Sequence, residues 1–283
     1  MAIHLKHNNY GKSSVRLTKV ERSKSRHELI ELTVNTMLEG EFEDTHLSGD
    51  NAKVLPTDTQ KNTVYAIARN HPIDSIESFA QALAKHFVEN CGSHIHKASV
   101  DIRQQEWARM NLNGHAEDTA FQSTGGEQAT TSVVYSAGKL CVRSGLTGLM
   151  VLKTTNSAFT GYQRDRYTTL KEAEDRILAT SITADWLYSS PATTDFNASR
   201  ALIRTALLKT FAEHNSLSVQ QTLYDMGHAA LEACSAISEI HLALPNSHRL
   251  LVDLEPFGMD NPNVVFLPIN EPYGLIEATL ARD

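Results

Sequence analysis

Apolar residues recur along the chain with two periods, and stretches of one alternate with stretches of the other. Residues 14–21 and 29–38 are rich in Val, Leu and Thr and flank a charged, turn-like segment, which predicts a β-hairpin. The period then lengthens. A helix is expected over 57–70, and a second after Asp74, where Ile76, Phe79, Leu83 and Phe87 recur at spacings of three and four and mark one buried face. Residues 93–110 read as a long strand. A polar loop then leads through 120–124 to Gly125-Gly126, which is expected to interrupt regular structure. This places a boundary between a first unit, 1–126, and a second, 127–283.

The second half repeats the order. Residues 130–136 and 139–155 predict a strand pair, and 197–214 and 219–234 predict helices. Closing strands are expected at 248–254, where Leu250, Val252 and Leu254 alternate, and at 274–280, where Ile276, Ala278 and Leu280 do so. An insertion is expected between about 158 and 194. Each half thus reads strand-strand, helix-helix, strand-strand, an α+β class. Hairpin-linked strands form an antiparallel sheet, so helices cover one face and leave the other free for subunits to pack.

Composition narrows the function classes. The chain has 283 residues, 41% apolar and 21% charged, values ordinary for a globular protein. The formal net charge of −7 comes with scattered rather than clustered Lys and Arg, which argues against a nucleic-acid surface. The three cysteines, Cys91, Cys141 and Cys234, are widely spaced and odd in number, which points to a reducing compartment rather than a disulfide framework. The opening MAIHLKHNNY lacks a signal peptide's apolar core, and no stretch is long and apolar enough to span a bilayer, so a cytoplasmic protein is expected.

Several residues carry potential chemistry. Thr57-Asp58-Thr59-Gln60 has the form of a capping box with Thr57 as N-cap, and Ser218-Val219-Gln220-Gln221 repeats it. Each reads first as an ordinary cap, and secondly as a helix start whose unpaired N–H groups meet an anion. Lys12 is either a solvated surface charge or, if buried, a base. Asn246 and His248 follow Pro245 where alternation would put both on one face, as a satisfied turn or a polar pair. Arg176 is expected in a helical stretch as a surface ion pair with Asp175, and Phe159 in the core. His94 and His96, with His86 and Cys91 nearby, raise a metal site, but no third ligand stands at a recognisable spacing.

Taken together and in order, Tyr10-Gly11-Lys12, TDTQKNTVY (57–65), NSAFTGYQRDRYTTL (156–170), Asp175-Arg176-Ile177-Leu178, Ser218-Val219-Gln220 and LPNSH (244–248) resemble the signatures of urate oxidases, and the resemblance covers nearly the whole chain. It implies a tandem T-fold, the tunnelling fold, with two antiparallel four-stranded sheets, each with helices on one face. It also implies a homotetramer with active sites at subunit interfaces, so that Thr57 and Asp58 come from one chain and most other site residues from its neighbour. The substrates implied are urate and dioxygen, with no metal or organic cofactor, and the products 5-hydroxyisourate and hydrogen peroxide.

Carried over by position, Arg176 and Gln220 grip one edge of the purine. Phe159 stacks on the ring and Leu170 packs beside it. The backbone N–H groups of Val219 and Asp58 meet a urate oxygen and a ring nitrogen. Lys12 acts through Thr57 as a proton relay that His248 extends, and Asn246 with Thr57 holds dioxygen or water above the ring. Thr57 meets a conflict here, because a hydroxyl engaged in capping is less free for proton transfer. Thr160 departs from the larger ring residue of many relatives, and residues 111–128 carry no pattern that assigns them a role. The chain ends Ala281-Arg282-Asp283, without the peroxisomal address of many eukaryotic urate oxidases, which favours a bacterial type. Two other readings are a metal-dependent T-fold enzyme acting on a pterin or another purine, using His94, His96 and Cys91, and a purine-binding protein without turnover.

Overall fold

The structure is a computed structural model that describes residues 3–283. Strands β1 (Tyr10–Glu21) and β2 (Glu28–Gly40) form the expected hairpin, paired from Tyr10 opposite Leu38 to Glu21 opposite Glu28 with a register shift between Lys12 and Val15. β2 shows the physics of a half-buried strand: Leu32, Val34, Thr36 and Leu38 are buried while Thr33, Asn35 and Met37 between them are partly exposed. A short helix α1 (Glu43–Leu47) precedes α2 (Thr57–Asn70) and α3 (Ile76–Asn90). Strands β3 (Ile95–Leu112) and β4 (His115–Ser136) complete this part as a long antiparallel pair. α3 packs on β3 and β4, and α2 on β1. The face of α3 that does so carries Ile76, Phe79, Leu83 and Phe87, the spacing seen in the sequence.

β5 (Lys139–Lys153) follows β4 after a two-residue turn in which Ala137 has φ 49° and Gly138 φ 74°. Positive φ at both central positions gives a turn whose twist matches paired strands, so β5 is held beside β4. β6 (Leu178–Tyr188), α4 (Phe196–Glu213), α5 (Val219–Ala233) and β7 (Ile237–Asn246) come next. β8 (Arg249–Leu251) and β9 (Phe266–Pro268) pair with each other as a separate ribbon, and β10 (Gly274–Ala281) pairs with β7. α5 packs on β7 and β10. The chain divides into two compact units, the first running to Gly145 and taking in Leu187–Asn197, the second comprising Leu146–Trp186 and Ala198–Asp283.

Several expectations change. Hydrogen-bonded neighbours run β1-β2-β3-β4-β5-β6-β7-β10 in one eight-stranded sheet, not two of four strands, because the tight β4–β5 turn lets the sheet continue. The pair Gly125-Gly126 does not end a strand. It sits inside β4 where the register slips from Gln105 opposite Gln128 to Trp107 opposite Ser123, a bulge that Gly125 accommodates with φ 109°. The stretch expected as an insertion contains β6, whose alternating Ile182, Ala184 and Trp186 are fully buried. The closing strand is β7, with Ile240, Leu242 and Leu244 inward, and not 248–254, of which only Arg249–Leu251 is strand and Leu250 stands exposed.

Phe79 is completely buried where α3 meets the sheet. Phe79→Ala is expected to lower the stability of the chain by about 3–5 kcal/mol, read from urea unfolding, because the site cannot collapse into the vacated volume.

Candidate active site

The first unit fastens the start of α2 to the hairpin. The Thr36 hydroxyl accepts the Lys12 N–H at 3.4 Å and donates to Oε1 of the fully buried Gln60 at 2.8 Å. The Tyr10 hydroxyl accepts the Leu55 N–H at 2.9 Å, and the Tyr10 ring meets Phe42 edge-on at 4.8 Å. Between them Gly11 is required, since a Cβ there would lie 1.7 Å from the Thr36 carbonyl oxygen.

Thr57 is the first helical residue and Pro56 the N-cap, with no side-chain cap. The capping role expected for Thr57 is therefore wrong: Pro56, with ψ 139°, is the residue that turns the chain into the helix, and the Thr57 hydroxyl is spared. The Gln60 N–H is the first to find a helical acceptor, the Pro56 carbonyl at 3.1 Å, so the N–H groups of Thr57, Asp58 and Thr59 have none inside the helix. The Asp58 carboxylate bonds Lys61 and, at 3.0 Å, Asn62, which draws it along its own helix. Those bonds, led by Lys61, lower its pKa, and the nearby Lys12 charge adds to the effect.

In the second unit three irregular strips are stitched side by side. The Ala158 N–H donates to the Ser216 carbonyl at 2.7 Å and the Ser216 N–H to the Asn156 carbonyl at 3.0 Å. On the other side Phe159 and Ala173 exchange backbone bonds at 2.7 and 3.1 Å, and the Arg176 N–H donates to the Ser157 carbonyl at 2.8 Å. Asp175 is not paired with Arg176 and the segment is not helical. The Asp175 carboxylate accepts from the Thr155 hydroxyl at 2.6 Å and the Ser157 N–H at 3.3 Å, and these bonds, the Thr155 hydroxyl first, hold its pKa down.

This stitching brings Phe159, Arg176 and the start of α5 together. The Arg176 guanidinium lies 5.3 Å from the Phe159 ring centroid, and Phe159 is only partly buried, at the site rather than in the core. Arg176 is partly buried, burial lowers its pKa, and its Nε has no hydrogen-bond partner among the described residues. Ser216 leads directly into Ser218, a true N-cap accepting the Gln221 N–H at 3.1 Å, with Val219 buried and Gln220 exposed behind it. Leu170 is 56% exposed, and its carbonyl accepts the Tyr162 hydroxyl at 2.6 Å. Tyr162 itself stacks on Phe159 with ring centroids 4.9 Å apart, a neighbour that no periodicity or spacing singles out.

Asn246 ends β7 and His248 lies beyond it, so the two do not share a strand face as alternation suggested. The Ser247 N–H donates to the Ala179 carbonyl at 2.9 Å, which sets this turn beside the start of β6, just after Arg176. A cavity of about 510 Å³ is lined by Asp175, Arg176, Ile177, Arg249 and Phe266 among others. Among the described residues no group of three or more His, Cys, Asp or Glu is placed to hold a metal. His94 precedes β3, and its Nε2 lies 2.7 Å from the Lys53 carbonyl.

The Uricase family model matches residues 8–134 and 142–277. A uricase of Arthrobacter globiformis is 47% identical over 276 residues, covering 98% of this chain and 89% of that protein. The uricase of Aspergillus flavus is 38% identical over 288 residues, 96% and 95% of the two chains. The crystal structure of the Arthrobacter globiformis uricase superposes with a TM-score of 0.94 at 47% identity, covering 100% of this chain and 96% of that one.

Gly11→Ala is expected to cost about 1–3 kcal/mol in urea unfolding, since the Thr36 carbonyl cannot retreat without opening the β1–β2 hairpin.

Proposed function

The chain belongs to the uricase family and is an oxidoreductase acting on urate, and we propose that it passes electrons from the urate dianion directly to dioxygen without metal or organic cofactor. Water then adds to the oxidised purine, so that urate, dioxygen and water give 5-hydroxyisourate and hydrogen peroxide. The observation that carries this reading is the Arg176 guanidinium, partly buried beside the Phe159 ring with an unpartnered Nε. A buried cationic donor left unpaired is costly, and a flat anion with paired acceptors on its edge relieves that cost.

In this reading Gln220 joins Arg176 on the purine edge, Phe159 stacks on the ring and Leu170 packs beside it. The Val219 and Asp58 N–H groups meet an oxygen and a ring nitrogen, as the two helix starts suit. Thr57, free of capping, relays protons between Lys12 and the reacting centre, and His248 extends the relay. Asn246 with Thr57 holds dioxygen or water over the ring, so that placement substitutes for a redox centre. We place Thr57, Asp58 and Lys12 opposite a neighbouring chain's Arg176 and Phe159 in a homotetramer of tandem T-folds. The cysteines are free thiols, in keeping with a cytoplasmic setting.

Loss of urate absorbance with matching peroxide release, measured with a chelator present, tests the reaction, and absence of turnover would overturn it. Lys12→Ala and Thr57→Ala are expected to lower kcat by about 10²–10⁴ with KM little changed. Arg176→Ala is expected chiefly to raise KM, the mark of lost ground-state binding. A Lys12→Ala enzyme with parental kcat would remove the relay.

A further inference from the structure

Between β7 and β8 the chain leaves one sheet and joins another. The β7–β10 ladder ends with Asn246 opposite Gly274, and the β8–β9 ladder begins with Arg249 opposite Pro268. Ser247 and His248 lie between the ladders, so their backbone depends on other bonds. The Arg249 side chain supplies three bonds to this turn. Its Nη1 donates to the Ser247 carbonyl at 3.1 Å, the Ser247 hydroxyl at 3.0 Å and the His248 carbonyl at 3.0 Å.

Three further bonds complete the hold, from the Ser247 N–H to the Ala179 carbonyl at 2.9 Å, from the Ser247 hydroxyl to Asn270 Oδ1 at 3.5 Å and from the Ile269 N–H to the His248 carbonyl at 3.0 Å. Each ties the turn to a neighbouring segment by one bond. Arg249 gathers three acceptors around one nitrogen, and bonds from a charged donor are stronger and less tolerant of displacement than neutral ones. Arg249 also lines the cavity that Arg176 lines, so the residue that holds the turn borders the site.

We propose that Arg249 is a positioning residue for urate oxidation, locking the Ser247–His248 turn so that Asn246 and His248 are presented to the reacting centre. The inference rests on the reading of Asn246 and His248 as site residues. Arg249 contributes geometry and not substrate affinity, so its loss reads in turnover: freed of the clamp, the turn samples other conformations and the productive one is populated less.

The test uses the full-length oligomer, with steady-state kinetics on urate and, for affinity, binding of xanthine, a planar purine lacking the oxygen at C8. Arg249→Gln is expected to lower kcat about 10- to 100-fold, with KM and the xanthine Kd changed by no more than about twofold. Arg249→Lys is expected to recover most of that loss, because an ammonium can still donate to both carbonyls. In a His248→Ala, Asn246→Ala background, Arg249→Gln is expected to add no more than about a twofold loss, the signature of residues acting through one another.

Parental kcat in Arg249→Gln beside a slow His248→Ala would overturn this inference alone. So would a raised xanthine Kd with kcat retained, which would make Arg249 a binding residue, or an undiminished loss in the His248→Ala, Asn246→Ala background. Were His248→Ala and Asn246→Ala both as fast as the parent, the reading of the site would fall and this inference with it. If Arg249→Gln does not fold, Arg249→Lys and Arg249→Met decide by the same kinetic split.

Discussion

The backbone bonds that tie residues 156–159 to Ser216 on one side and to 173–176 on the other are the constraint from which the second unit's site hangs. None belongs to a long strand, yet together they fix three things at once: the Phe159 ring, the approach of Arg176 to it, and the entry into α5 through the Ser218 cap. Asp175 extends the same device by bonding Thr155 and Ser157, so the acidic neighbour of Arg176 is spent on the scaffold and the guanidinium is left without an internal counterion there. An arginine so prepared is a better receptor for an external anion than one already paired, because binding need not break an existing ion pair.

The first unit reaches the same end by another route. Thr36, buried on β2, links the Lys12 backbone to Gln60 on α2. The helix start is thereby pinned against the strand end that carries Lys12, and Gly11 permits the close approach. At the opposite ends of the helices a repeat appears. Lys19 on β1 donates to the Ala68 and His71 carbonyls at the end of α2, and Lys153 on β5 donates to the Phe211 and His214 carbonyls at the end of α4. Each lysine satisfies carbonyls left over by its helix and complements the dipole there, so both halves hold a helix against the sheet by the same kind of bond. The repeat of strands and helices read in the sequence thus extends to individual side chains.

Periodicity made much of this legible. The span of α2 matches the expectation of 57–70, and the apolar spacing of α3 is the face that packs. Other patterns are less legible. β6 and β7 both alternate, but β6 falls inside the stretch that reads as an insertion, and in β7 the apolar period starts only at Ile240. The spacing of Thr57 to Gln60 fits a capping box, but the geometry of Pro56 places the cap one residue back. Gln60 is buried against Thr36 instead of bending back to the helix start.

By itself, then, the amino-acid order determined the alternation of strands and helices, the α+β class, the Ser218 cap and the motifs that mark the family. These depend on residues close in sequence, or on long strings that identify without being explained. Tertiary structure alone decided that Ser157 meets Ser216, that Arg176 faces Phe159 and not Asp175, that the sheet runs through eight strands, and that Arg249 turns back on its own chain. Such contacts join segments with no shared period. Their free energy comes from partners that only the folded chain brings within hydrogen-bonding distance, which is why a pattern confined to neighbours cannot announce them.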